Sequence, residues 1–272
     1  MVVMNRHRDR VRDRLRASSV RRAGPGSVSW TVNRSVLVLA GWGPAILLQL
    51  AHPLIAAGVG QHSRFRGSLK SGLRRFWSTV RAMRAITFGS EDEMVEAAAR
   101  IGAVHDRVRG TLPAAVGPHP AGARYSAHDA DLQRWVHCTL LHAIPSTYAL
   151  VVGPLSDEDR DRYCAEAAIM EPLLGLPAHS LPRTWAEVQV EVQAMVDGDA
   201  LAISDDSRAL ARAVLYPPRW WMLFPCFRPV QLLTIGLLPS ALRRAYGFEW
   251  SDREARALAR WASVARLVGR VV

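Results

Sequence analysis

The chain has 272 residues, 49% of them hydrophobic and 22% charged, with a formal net charge of +11. These proportions exclude global disorder and a coiled coil, because apolar content is near the globular norm and no heptad persists. So basic a balance fits nucleic acid, an anionic membrane or an anionic ligand, and its location matters more than its size.

The first 22 residues carry eight arginines and two aspartates, a net +6 of that total. With the breaker Gly24-Pro25-Gly26 behind it, this segment reads as a solvated or fraying helix within a flexible Arg-rich tail over residues 1–26, outside the core. Residues 27–272 make up the predicted helical domain. The tail lacks the apolar h-region of a secretory signal, so a cytoplasmic location is expected, with peripheral membrane contact through the arginines. Between Arg14 and Ser90 there is no Asp or Glu at all. The cations of that stretch therefore meet acids distant in sequence, or an anion from elsewhere.

Val36 to Gly60 is uncharged and, by length alone, could span a membrane. Pro44, Pro53, Gln49 and His52 argue instead for two short buried helices joined near Pro53. Leu69, Leu73, Phe76, Val80 and Met83 recur at helical spacing and predict an amphipathic helix over about 68–87. Ser90 with Glu93 forms a capping box, and that helix is predicted to run to Arg109 and stop at Gly110. Ser126 and Asp129 open another, stopped by Pro145. The next runs from Ser156 to about Glu171, ended by Pro172. Thr184 with Glu187 caps a helix to about Val196, followed by helices over 205–215 and from Ser251 to about 268. Trp220 to Pro239 is apolar and aromatic but broken by prolines. No hairpin pattern or repeat is visible. The predicted fold is all-α, a single domain of about ten helices.

Several chemistries lack their motifs. There is no GxxxxGK[ST], no GxGxxG after a strand, no HExxH and no GxSxG. Paired ExxH motifs for a di-iron bundle are missing too. Cys138, Cys164 and Cys226 are far apart and predict neither disulfide nor zinc site. No DNA- or RNA-reading motif accompanies the basic tail, so sequence-specific nucleic-acid binding is not expected.

Histidine is the remaining candidate. Ile101, Val104, His105 and Val108 share one helical stripe, so His105 is expected to face inward, with Arg109 one turn on. Its neighbours Ala98, Ile101 and Gly102 are small or aliphatic and would admit a flat macrocycle. On the preceding helix Arg75 and Thr79 are four apart and project from one face. An arginine and a hydroxyl opposite an imidazole would suit an iron-bound diatomic or haem propionates. The bland reading of His105 is a hydrogen-bonded core histidine. His52 and His62 are read as satisfying backbone groups near the hydrophobic turn. His137 and His142 are read as buried hydrogen-bonding residues by default, with lining of the pocket as the alternative, and His7, His119, His128 and His179 as surface or loop residues. Tyr125 is either a core hydrogen-bonding residue or part of a ligand pocket.

The strings LLQLAHPLIAAGVGQHS, HDRVRG, YSAHD, WVHCTLL, LPRTWAE and GLLPSALRRAYGFEW, with the Arg75/Thr79 pair, occur in a telling order. From about Trp30 to Trp250 they resemble the catalytic-domain family of bacterial rubber oxygenase (latex-clearing protein) and the fungal mycophenolic-acid-pathway oxygenase. The resemblance implies a globin-like core holding haem b, with His105 as proximal iron ligand and Arg75, Thr79 and Arg109 close to the haem. It also implies dioxygen and a small hydrophobic, isoprenoid or lipid-like substrate, lined by Leu47–Val59 and Trp220–Leu238. Two departures limit the transfer. Ser78 stands where rubber oxygenase has a lysine, and no acid stands between Arg14 and Ser90 to serve as the base that rubber oxygenase places upstream of the arginine. Polyisoprene cleavage is therefore not carried over. Two alternatives accompany the haem oxygenase: a non-catalytic haem or gas sensor or carrier, and a cofactor-free, membrane-associated helical protein.

Overall fold

A computed structural model describes residues 2–62, 69–216 and 227–269. The chain is all-α, as expected, apart from one three-residue β-ribbon. In chain order the elements begin with α1 (Val2–Ala17), α2 (Val28–Arg34), a 3-10 segment (Val36–Gly41), α3 (Trp42–Leu50) and α4 (Pro53–His62). Next come α5 (Leu69–Phe88), α6 (Glu91–His105), β1 (Arg109–Thr111), β2 (Arg124–Ser126), α7 (Ala130–Val151) and α8 (Asp157–Glu166). The remainder is α9 (Met170–Leu174), α10 (Trp185–Asp197), α11 (Asp205–Leu215), α12 (Phe227–Gly236), α13 (Ser240–Tyr246) and α14 (Asp252–Gly269).

Short side chains fix where these helices start. Ser90 and Thr184 each close a full capping box with Glu93 and Glu187. Asp129, Ser156 and Ser204 accept from backbone amides in the first turns of α7, α8 and α11. Each cap satisfies amides that the helix itself cannot pair.

The stops differ from expectation at two prolines. Pro145 lies inside α7, which runs on to Val151. A proline in a helix interior costs about 3 kcal/mol. Here Ala143, Ile144, Pro145 and Thr147 are all buried, and that burial outweighs the missing bond. Pro172 likewise falls in the first turn of α9, which ends at Gly175 in the left-handed region (φ 78°). A first-turn proline lacks only an amide that had no helical partner.

The uncharged stretch forms α3 and α4, broken before Pro53 as expected, with a 3-10 segment ahead of them. No single described helix is long and apolar enough to cross a membrane. One pair, Val28–Arg34 with Val36–Leu50, has the length and composition but is bent by 87°.

The main core gathers around α7. Trp135, Cys138, Leu141 and Ile144 meet Leu47 and Leu48 of α3, Val188 and Val192 of α10, and Leu215 of α11. Tyr246 of α13 is buried here too and donates to the Leu47 carbonyl at 2.7 Å. Gly43 lets α3 approach α12, since a Cβ there would lie 2.2 Å from Thr234 Oγ1. Cys138 and Cys164 are free and buried, which pushes both thiols up to about 12 and makes them poor nucleophiles. Cys226 lies outside the described residues.

The N-terminal segment corrects the sequence reading. Residues 2–17 are helical, but the helix is docked on α6 and α9 rather than solvated and fraying. Val11 is 1% exposed and packs with Ile86, Met94, Val95 and Leu173. Arg8 pairs with Glu96, and Arg12 with Asp92 at 2.8 Å. A thin stripe of Met4, His7, Val11 and Leu15 recurs at three- and four-residue steps and faces the core. The acids on α6 therefore answer the arginines of α1.

Glu171 is the most thoroughly enclosed acid, 2% exposed. It accepts from the amides of His179 (3.2 Å) and Leu181 (2.9 Å) and from Arg183 (2.8 Å), pinning the loop before α10. Glu171→Ala leaves two amides and a guanidinium without their acceptor. We expect a loss of about 3 kcal/mol, read as a lowered urea midpoint.

Candidate functional site

α6 carries His105 as its last residue. The helix does not continue to Arg109, because the chain turns at Asp106 and Arg107 and enters β1. Arg109 thus sits in a strand with an exposed side chain, not one helical turn beyond His105. The strands escaped the sequence reading because three residues are too few to show alternation. The Val108 carbonyl accepts from the Ala127 amide at 2.8 Å, tying the end of this turn to the residues after β2.

α5 and α6 are joined by Gly89-Ser90 alone, which makes them antiparallel neighbours. Arg75 lies fourteen residues before Gly89 and His105 fifteen after Ser90. At roughly 1.5 Å per residue, both stand about 22 Å from the turn, at one level of the hairpin. Thr79 is one turn nearer and exposed. The side chains of residues 69–76, Arg75 among them, lie outside the described part.

The small stripe on α6 has a different occupant from the one expected. Ala97, Ala98 and Ala99 are buried. A Cβ on Gly102 would come within 3.0 Å of His7 Nδ1. α1 fills the groove that the sequence offered to a macrocycle. Val104, on the expected inward stripe, is 49% exposed, and His105 itself is half-buried. The alanine face of α6 is thus taken by α1, and His105 stands at the helix's end.

Four histidines and one acid meet around that end. The Asp106 carboxylate lies 2.9 Å from His7 Nε2 and 2.8 Å from His128 Nε2. A carboxylate only accepts, so both imidazoles donate Nε2–H to it. The bond from His128, helped by that from His7, holds the Asp106 carboxyl below its ordinary range against the opposing effect of burial. The His128 ring stands edge-on to His105, with centroids 5.8 Å apart. His137 is buried beneath; burial, reinforced by His105, pushes its pKa down to about 4 and keeps it neutral. His7, expected at the surface, is buried, whereas His128 is exposed in a turn as expected, and both are engaged by Asp106. The signal for His128 lay in YSAHD; His7 gave none, since its partner is 99 residues away.

The neighbouring ribbon is stitched to α4. Tyr125 donates to Gln61 Oε1 at 2.7 Å, and His62 donates to the Arg109 carbonyl at 3.1 Å. Tyr125 is thereby a buried hydrogen-bonding residue. His142 stacks flat on Trp185, with centroids 5.8 Å apart. His52 Nδ1 accepts from the Leu54 amide, and its ring lies 5.1 Å from His119.

Burial, then His119, pushes the His52 pKa down to about 4 from an ordinary 6.5. The unfolded chain therefore binds a proton below pH 6.5 that the folded chain refuses. Stability from a neutral His52 is complete above that value and falls as pH drops towards 4. By pH 5 the loss is about 2 kcal/mol, and His52→Asn should flatten that part of a urea-midpoint profile.

Among the described residues, no group of three or more His, Cys, Asp or Glu is gathered to hold a metal ion. A haem iron needs far less, a single protein ligand. Over residues 30–267 the chain matches the family model described as "ER-bound oxygenase mpaB/B'/Rubber oxygenase, catalytic domain". The chain belongs to that family. No curated protein and no solved structure matches it. The match leaves out α1, the first two residues of α2 and the last two of α14, and takes in every element between. Within this oxygenase domain the sequence-predicted residues divide as follows. His105, Thr79 and Arg75 share the α5–α6 hairpin, whereas Arg109 belongs to the ribbon. The predicted pocket wall from Trp220 is outside the described residues as far as Cys226.

Proposed function

We infer that this oxygenase-family chain is a haem b-dependent enzyme acting with dioxygen on a small hydrophobic substrate. Its single strongest support is His105, an imidazole at the end of a core helix of an oxygenase catalytic domain. The helix C-terminus carries partial negative charge, which strengthens a nitrogen donor held there. Exposed apolar side chains at Val104 (49%) and on α5 at Trp77 (56%) suit a flat, apolar group beside that nitrogen. The residues present therefore fit haem at the end of α6, though not along its alanine stripe.

Bound haem would supply the iron that activates dioxygen. The chain's own part is to hold, orient and polarise. His105 would provide Nε2 as the protein ligand. Thr79 and Arg75, on one face of α5, would donate to negative charge developing on oxygen. Arg109 would lie near the propionates, reaching them from β1. His137, neutral at physiological pH, adds no charge beside the ligand.

Ser78 and the acid-free stretch favour a second reading, a haem sensor or carrier without turnover. One experiment separates the two. The reconstituted protein should show a Soret band and consume oxygen with one member of a panel of terpenoid and lipid alkenes. A Soret band with no oxygen uptake across the panel would select the sensor, and no Soret band would overturn both.

A further inference from the structure

The end of α6 has little to hold it by itself. Its last helical bond runs from the Asp106 amide to the Gly102 carbonyl, and the following amides make only short turns back to Val104 and His105. Helix ends with such bonds fray. An imidazole on the final residue would then sample several directions. Asp106 is tied, however, on both sides of its carboxylate, by His7 from α1 and by His128 from the turn before α7. α1 is itself secured against α6 by Arg8–Glu96 and Arg12–Asp92 and by Val11 in the core. His128 adds an edge-on ring contact to His105.

We propose that α1 is a clamp for the iron-binding histidine: His7 and His128, gripping Asp106, fix the end of α6 from which His105 would hold haem. His7, Asp106 and His128 are positioning residues, and the clamp rests on the reading of His105 as ligand. α1 lies outside the residues matched by the oxygenase family, so half of this clamp comes from a segment that the shared domain does not contain. Such supporting contacts are worth about 10–100-fold in metal affinity where a ligand's orientation depends on them.

The test compares full-length, haem-loaded protein with His7→Ala, Asp106→Ala, His7→Gln and Arg12→Ala. Haem transfer to apomyoglobin, the low-temperature electron paramagnetic spectrum and the melting temperature are measured for each. Hydrogen exchange at residues 102–106 is followed in haem-free protein. His7→Ala and Asp106→Ala should release haem about 10–100-fold faster, alter the iron spectrum and speed exchange at the end of α6. His7→Gln, which keeps a donor near the Nε2 position, should restore all three. Arg12→Ala removes only an exposed ion pair far from His105, leaves Val11 and His7 in place, and should lower melting slightly while leaving spectrum and haem release unchanged. A His7→Ala protein with wild-type release and spectrum overturns the clamp, as does an Arg12→Ala protein that reproduces the His7→Ala changes. A wild-type protein without a Soret band, or a His105→Ala protein that keeps a native one, overturns the ligand reading and the clamp together. That failure shows itself before any clamp variant is compared.

Discussion

His105→Ala abolishes the native Soret band of the reconstituted protein while leaving the chain folded. Both halves of this expectation follow from where the residue sits. The imidazole is half-buried at the end of α6, so truncation opens no enclosed cavity and should cost about 1 kcal/mol or less. Haem affinity, by contrast, would depend on one protein nitrogen, because no larger ligand group is gathered among the described residues. His137→Ala is the informative companion. That side chain is 8% exposed, so its loss should destabilise the fold by about 2 kcal/mol yet keep the band. If His137→Ala lost the band and His105→Ala kept it, the ligand would have been assigned to the wrong histidine. Absorption spectra and melting curves of the two variants decide the matter.

Val11→Asp lowers stability by about 4 kcal/mol, and Arg10→Asp next to it barely changes it. Val11 is enclosed among Ile86, Met94, Val95 and Leu173. Removing its buried methyls costs about 2 kcal/mol, and an unpaired carboxylate in the same place costs at least as much again. For a domain of this size that is a fall of about 10 °C in melting temperature. Arg10 is exposed on the opposite side of α1, where an acid meets solvent. Equal melting temperatures for the two variants would mean that α1 is not docked in solution.

Local chemistry was readable, and long-range chemistry was not. The capping boxes at Ser90 and Thr184 and the break at Pro53 each depend on residues within a few positions of one another, so the sequence displays them. The limits of α7 and α9 did not follow, because the burial that carries Pro145 and Pro172 is set by elements remote in the chain. α1 was misread for a related reason. Its apolar stripe is thin amid the arginines, and the partners that neutralise Arg8 and Arg12 appear only at Glu96 and Asp92. At the candidate site, the spacing that singled out Arg75, Thr79 and His105 survives as the α5–α6 hairpin. Arg109 does not follow His105 round the helix, since nothing in HDRVRG announces that α6 ends at its first residue. Ala98, Ile101 and Gly102 were read as admitting a flat macrocycle, and what lies against Gly102 is instead His7 of α1.

The docking of α1 also bears on how the chain is made. Its contacts with α6 join positions 88 and 99 residues apart. At about 5–20 residues per second, a ribosome leaves α1 waiting roughly 5–20 s for its partner. Sixteen residues on their own are barely enough for a helix in water. Through that interval the arginines keep the segment hydrated, and Glu96 and Asp92 recruit two of them once α6 emerges. The fastening of α1 therefore waits on a segment made about 90 residues later.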